Sequence, residues 1–183
     1  MLFASGSGSN AEKIMRYGSS KSTFEVMSVF CNNPKAMVLE RALHNNVPTV
    51  IFSKDDLNSG VLINKLRSLN PDLIVLAGFL LQLPAALIEA FPNKIVNIHP
   101  ALLPKYGGKG MYGKFVHEAV LNNKEVETGI TIHFVNELYD EGEVILQKSI
   151  AVDDCTTAEE IATKVRALEH EFYPKVIEQV LIH

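Results

Sequence analysis

Two polar side chains with complementary chemistry lie two residues apart in the segment Asn97-Ile98-His99. If residues 94–98 form a strand, its side chains alternate, so Asn97 and His99 point to the same side near its carboxyl end. An amide donor beside a titratable imidazole can stabilise an oxyanion and move a proton. The alternative is a purely structural pair, a capping asparagine and a partly buried histidine.

A carboxylate close to His99 would raise the pKa of the imidazole and hold the ring in one orientation. Asp140, in the polar segment 136–143, is the candidate for this role. The alternative is a solvated turn residue before Gly142, which is a common position for aspartate in loops.

The segment Gly6-Ser7-Gly8-Ser9-Asn10-Ala11 matches the G-x-G-x-x-G/A pattern and lies between a predicted strand and a predicted helix. Glycines let the backbone approach an anion, and a helix N-terminus supplies free N–H groups, so the pattern predicts a phosphate site. The next predicted strand ends in Asn32-Asn33, without the acidic residue that a dinucleotide ribose needs, which favours a phosphomonoester. An ordinary glycine turn remains the alternative.

Two further groups of residues have a less specific pattern. Arg166, Glu169, His170 and Tyr173 fall at helical spacing opposite the apolar stripe Ile161, Val165, Leu168 and Phe172, and a solvated face is the alternative to a binding role. The run Leu80-Leu81-Gln82-Leu83 can line an apolar slot for a flat ring, or simply belong to the core.

The elements that must position these residues alternate between short apolar runs and amphipathic segments. We expect strands at 2–5, 25–31, 47–52, 72–77 and 94–98, and helices beginning at 11 and covering 37–45, 61–69, 85–91 and 115–122. Residues 129–135 and 144–152 predict an antiparallel hairpin. A long last helix follows, capped by Thr156 or Thr157 with Glu159 or Glu160, and kinked or interrupted at Pro174.

This order predicts the α/β class: a Rossmann-like open sheet, mostly parallel, with helices on both faces and a C-terminal antiparallel hairpin plus long helix. The 183 residues carry 17 basic and 21 acidic side chains, a formal net charge of −4. That balance argues against non-specific nucleic-acid binding. Two cysteines, and the lack of a secretory signal or membrane span, predict a cytoplasmic location. The histidines lack metal-ligand spacing, so we expect no metal.

Several segments occur together in an order that resembles the folate-dependent formyltransferases, and in particular the phosphoribosylglycinamide formyltransferases. They are FASGSGSNAE, LERAL, PDLIVLAGF, KIVNIHPALLPKY, GITIHFV, DEGEVILQ and LEHEFYP. The resemblance covers almost the whole chain. It implies transfer of a formyl group from 10-formyltetrahydrofolate, as co-substrate, to the amine of glycinamide ribonucleotide in purine synthesis.

The resemblance also implies roles for individual residues. His99 is implied as the catalytic acid and base, Asn97 as the donor to the formyl oxygen, and Asp140 as the group that raises the pKa of His99. The implied ribonucleotide contacts are Gly8, Ser9, Asn10, Arg166 and Glu169. The implied folate contacts are Lys54, Leu80, Leu81, Gln82, Leu83, Asn97, Asn136, Glu137, Leu138, Tyr139 and Asp140.

On this interpretation residues 1–183 form a single formyltransferase domain, with a nucleotide-binding half of about 1–98 and a folate-site half of about 99–183. The expected partners are small-molecule substrates, with no nucleic acid and no membrane, and the chain is expected to be a monomer or weak homodimer. The alternatives are a 10-formyltetrahydrofolate hydrolase, another folate-dependent formyltransferase and, more remotely, a non-catalytic dinucleotide-binding module.

Overall fold

A computed structural model describes residues 1–182 of the chain. Within that range the strands are β1 (Leu2–Ala4), β2 (Val29–Cys31), β3 (Thr49–Ile51), β4 (Ile74–Leu76), β5 (Ile95–His99), β6 (Glu127–Phe134) and β7 (Val144–Ala151). The helices are α1 (Ser9–Lys21), α2 (Met37–His44), α3 (Lys54–Asn58), α4 (Val61–Leu69), α5 (Ala85–Ala90), α6 (Lys114–Asn122) and α7 (Ala158–Ile182).

The strands form one sheet in the order β3-β2-β1-β4-β5-β6-β7. β1 pairs in parallel with both β2 and β4, and β2 pairs in parallel with β3. β6 and β7 pair antiparallel, with a register irregularity at Ile132/His133. The predicted class, a Rossmann-like sheet that is mostly parallel with a C-terminal antiparallel hairpin and long helix, is therefore confirmed.

The chain divides into two compact units, one of residues 1–96 with 177–182 and one of residues 97–176. In the first unit, the central strands β1, β2 and β4 consist wholly of buried residues, as parallel strands covered on both faces require. Phe3 of β1 stacks on Phe30 of β2 with ring centroids 5.0 Å apart. The second unit contains the hairpin, in which Ile130 and Ile132 are fully buried. The prediction of one domain with two halves stays a prediction.

The N-terminus of the last helix has the expected capping contacts. The Thr157 hydroxyl accepts a hydrogen bond from the Glu160 N–H at 3.3 Å, and the Glu160 carboxylate accepts one from the Thr157 N–H at 3.1 Å. Of the two expected effects of Pro174, the interruption is wrong, because α7 continues through it to Ile182, and the kink stays a prediction. A proline removes one backbone donor, and the buried residues on either side of it, Tyr173 and Val176, keep the helix packed.

Other differences from the predicted elements concern short segments. β2 has three residues rather than seven, and β3 three rather than six, because neighbouring apolar residues lie outside the strand ladder. α3 was not predicted, although Ser53 and Asp56 form a capping box there. Among residues 1–182 no helix is long and apolar enough to cross a membrane.

Candidate active site

The glycine-rich segment joins β1 directly to the first turn of α1. Gly8 is the N-cap of α1 and has a φ of +72°, in the left-handed region. A Cβ at Gly8 would come 2.9 Å from the Cα of Val38 and closer still to the Val38 side chain, so both the conformation and the packing require glycine. The first N–H groups of α1 therefore lie beside a tightly turned backbone, as in anion-binding loops.

Two groups from neighbouring segments hold this turn in place. The Arg41 Nε donates a hydrogen bond to the Ser7 carbonyl oxygen at 2.8 Å, and the Arg41 guanidinium pairs with the Glu12 carboxylate. The Ser5 hydroxyl donates to the Asn32 Oδ1 at 2.6 Å. Ser9 and Asn10, the predicted phosphate contacts beside Gly8, are half-buried at the start of α1.

The strongest polar cluster lies in the second unit, around the end of β5. His99 is 4% exposed, and its Nδ1 lies 3.5 Å from the Asp140 Oδ2. The His99 Nε2 lies 2.7 Å from the Tyr106 carbonyl oxygen, which can only accept, so that nitrogen carries a hydrogen. The structure thus brings together the predicted pair, 41 residues apart in the chain.

Asn97 joins the same cluster through a residue that the sequence analysis did not single out. The Asn97 Nδ2 lies 3.3 Å from the His133 Nε2. The same His133 nitrogen lies 3.7 Å from the Asp140 Oδ1. The alternation of Gly129–Val135 places His133 on one face of its strand, but a histidine on a strand face carries no signal of its partners.

Burial and the neighbouring negative charge shift the pKa of His99 in opposite directions. Burial has the larger effect and lowers the pKa of His99 below its ordinary value, while Asp140 and the Tyr106 carbonyl raise it. The predicted effect of Asp140 on the pKa of His99 therefore has the expected direction but does not dominate. A neutral imidazole at neutral pH can accept a proton, and the adjacent carboxylate stabilises the imidazolium that results.

The loop after β5 contacts Asp140 directly. The Gly108 N–H donates to the Asp140 Oδ2 at 2.9 Å. A Cβ at Gly107 would meet the Leu103 Cδ2 at 2.6 Å and the Asp140 Cβ at 3.4 Å. The Gly108 hydrogen bond, which the sequence did not predict, holds the carboxylate in place, and the close packing at Gly107 leaves no room for a side chain there. The glycines themselves were the available signal.

The predicted folate contacts divide between the two units and differ in exposure. In the first unit Lys54 is exposed at the start of α3, and the run 80–83 passes from the exposed Leu80 to the buried Leu83. In the second unit Asn136, Glu137, Leu138 and Tyr139 are exposed in the β6–β7 loop. Asp140 of the same loop reaches the buried cluster, with its Oδ2 3.5 Å from the His99 Nδ1 and its Oδ1 3.7 Å from the His133 Nε2.

The predicted polar stripe of α7 is only partly exposed to solvent. Arg166 is half exposed, and its guanidinium lies 3.7 Å from the Glu159 carboxylate. Glu169 is half-buried, whereas Tyr173 is fully buried. The assignment of Tyr173 to the polar face is wrong, because its ring belongs to a buried stripe with Val165, Val176 and Ile177.

Within the described residues, no group of three His, Cys, Asp or Glu side chains is placed to hold a metal ion. The cluster described above combines an amide donor, a buried imidazole and a carboxylate. That set can stabilise a developing oxyanion and transfer protons.

The formyl transferase family model matches residues 1–177, so the chain belongs to the formyl transferase family. Its relatives include the chloroplastic phosphoribosylglycinamide formyltransferase of Arabidopsis thaliana, 41% identical over 96% of this chain and 63% of that protein. The phosphoribosylglycinamide formyltransferase of Bacillus subtilis is 36% identical over 98% of this chain and 93% of that protein. The phosphoribosylglycinamide formyltransferase structure from Anaplasma phagocytophilum has a TM-score of 0.89 at 32% identity, covering 98% of this chain and 85% of that one.

The length of the match differs between relatives. The chain spans less than two thirds of the two plant proteins, 63% of the Arabidopsis protein and 59% of that from Vigna unguiculata.

Proposed function

We propose that this protein transfers the formyl group of 10-formyltetrahydrofolate to the amine of glycinamide ribonucleotide. The observation that carries the proposal is the buried His99–Asp140 pair at 3.5 Å. The His133 Nε2 lies near both the Asn97 Nδ2, at 3.3 Å, and the Asp140 Oδ1, at 3.7 Å. The similarity to phosphoribosylglycinamide formyltransferases supports the choice of acceptor.

The chemistry requires an oxyanion to be stabilised and one proton to be moved. The amine attacks the formyl carbon, forming a C–N bond and a tetrahedral intermediate with a negatively charged oxygen. Asn97 donates a hydrogen bond to that oxygen, and His99 takes up the amine proton beside the Asp140 carboxylate. The bond between the formyl carbon and the folate nitrogen then breaks, and the proton goes to that nitrogen.

The remaining contacts are those that the resemblance to the folate-dependent formyltransferases implies. Gly8, Ser9 and Asn10 bind the ribonucleotide phosphate at the start of α1, where free N–H groups favour an anion. Arg166 and Glu169 contact the rest of the ribonucleotide. The proposed folate contacts are Lys54, the run 80–83 and the run 136–140.

The test is to follow folate release from 10-formyltetrahydrofolate by absorbance, with and without glycinamide ribonucleotide. We expect release that depends on the ribonucleotide. Release without it would identify a hydrolase, in which water is the acceptor. Release with formyl-accepting methionyl-tRNA but not with the ribonucleotide would identify another formyltransferase of the family.

The non-catalytic alternative is tested separately. Micromolar binding of NAD by calorimetry, together with no folate release from folded protein, would favour a dinucleotide-binding module. Independence from metals is checked by adding a chelator, which we expect to leave turnover unchanged. A cytoplasmic location and a monomer or weak homodimer stay predictions, tested by fractionation and by sedimentation.

A further inference from the structure

His133, near the carboxyl end of β6, lies between Asn97 and Asp140, two of the three groups that the proposed mechanism uses. It is 2% exposed, and its Nε2 lies 3.3 Å from the Asn97 Nδ2 and 3.7 Å from the Asp140 Oδ1. No step of the proposed reaction requires this imidazole. A buried polar side chain in such a position needs an explanation, because burial of a polar group costs free energy unless it is hydrogen-bonded.

The contact made by Nδ1, the other ring nitrogen of His133, determines which nitrogen carries the hydrogen. The His133 Nδ1 lies 2.9 Å from the Phe134 carbonyl oxygen, which can only accept. The hydrogen of the neutral ring is therefore on Nδ1, and Nε2 presents a lone pair. That lone pair faces the amide of Asn97.

We propose that His133 is a positioning residue that selects one of the two orientations of the Asn97 side-chain amide. This inference rests on the proposed function of Asn97 as donor to the formyl oxygen. With Nδ2 toward His133, one amide N–H is bound to the ring and the other is left for the substrate. The flipped amide would place Oδ1 against the ring lone pair, bringing two acceptors together.

The surroundings of the ring favour the neutral form on which this selection depends. Burial lowers the pKa of His133 below its ordinary value, while the Phe134 carbonyl and Asp140 raise it to a smaller extent. A protonated ring would donate from Nε2 and would favour the opposite amide orientation. The neutral ring therefore keeps the donor of Asn97 correctly directed at neutral pH.

Two substitutions of His133 separate an acceptor role from a packing role. His133→Gln can present an amide oxygen where Nε2 lies, whereas His133→Leu offers no acceptor. We expect His133→Leu to lower kcat about 10-fold to 100-fold with little change in the KM of either substrate, as for a misdirected catalytic group. His133→Gln is expected to retain most of kcat. Ile132→Val, a buried change on the opposite face of β6, is the matched control for packing.

A double-mutant cycle tests whether the effect passes through Asn97. Because contacting residues that act as a unit are non-additive, His133→Leu combined with Asn97→Ala should be no slower than Asn97→Ala alone, within about twofold. Fully additive losses would overturn the proposal. Equal losses of kcat in His133→Leu and His133→Gln would also overturn it.

A spectroscopic measurement remains informative if a variant fails to fold or if the proposed function is wrong. Ring ¹⁵N spectra of the folded wild-type protein report the tautomer of each histidine directly. We expect the Nδ1–H tautomer for His133 at pH 7. An Nε2–H tautomer or an imidazolium would overturn the proposal, whereas absence of ribonucleotide-dependent turnover in the wild type would overturn only the proposed function.

Discussion

The glycine loop and the buried polar cluster are built in opposite ways. The loop at Gly8 is a local structure in which residues adjacent in sequence form one turn and one helix start. The cluster is assembled from residues far apart in sequence: 41 residues separate His99 from Asp140, and 36 separate Asn97 from His133. Accordingly, backbone conformation defines the loop, while side-chain contacts define the cluster.

This difference indicates which changes each region tolerates. A loop that offers backbone N–H groups is insensitive to most side-chain exchanges but sensitive to an added Cβ. A buried cluster of hydrogen-bonded polar groups is sensitive to the loss of any one partner, because the others are left unsatisfied in a low-dielectric site.

Replacing His99 should have the largest effect on turnover. His99→Ala removes the group that takes up the proton, and we expect kcat to fall about 10²-fold to 10⁴-fold. Steady-state folate release measures the loss, and circular dichroism shows that the variant is folded. His44→Ala, at an exposed position on α2, is the control. Near-normal turnover in His99→Ala would eliminate the proposed role.

Adding a methyl group at Gly8 should affect binding rather than chemistry. Gly8→Ala forces a side chain into the left-handed region and against Val38, at a cost of about 1–3 kcal/mol in unfolding free energy. We expect a raised KM for the ribonucleotide with a smaller change in kcat. Gly6→Ala is the matched control, because its Cβ would have no atom within 4 Å and its φ is not positive. Equal effects of the two variants would contradict the account of the loop.

Three buried histidines of the second unit should make stability depend on pH. Burial lowers the pKa of His99, His117 and His133 below the ordinary value of 6.5. The unfolded chain therefore binds more protons than the folded one as pH falls below 6.5, so stability decreases in that window. Urea unfolding of His117→Gln should show a shallower decrease than the wild type, with His44→Gln as control. An unchanged slope would contradict the buried environment of His117.

Removing the anchor of the glycine loop should have the smallest effect. Arg41→Ala loses the bond to the Ser7 carbonyl and the ion pair with Glu12, both partly exposed to solvent. We expect a loss of about 0.5–1 kcal/mol in stability and a small increase in the KM of the ribonucleotide. Thermal unfolding and steady-state kinetics measure these changes. A decrease in kcat as large as that of His99→Ala would contradict the separation of the two regions.

The sequence predicts local features well and long-range contacts poorly. The bounds of α4 at Val61–Leu69 and the antiparallel β6–β7 hairpin follow from periodicity, since each depends on residues close in the chain. The contact of Asp140 with His99 could only be suggested, and its contact with Gly108 was missed, because a sequence pattern carries no distance between segments. The contacts of His133 were missed for the same reason. Tyr173 was misplaced because helical spacing does not decide how far burial extends around a helix.

The central claim is that the His99–Asp140 pair performs the chemical step. The most direct test is a rapid-quench single-turnover experiment, in which excess Asp140→Asn or wild-type protein reacts with the ribonucleotide and 10-formyltetrahydrofolate labelled in the formyl group. We predict that labelled formyl-ribonucleotide forms about 10²-fold to 10⁴-fold more slowly in Asp140→Asn, while ribonucleotide affinity is unchanged. A chemical step at the wild-type rate in folded Asp140→Asn would contradict the claim.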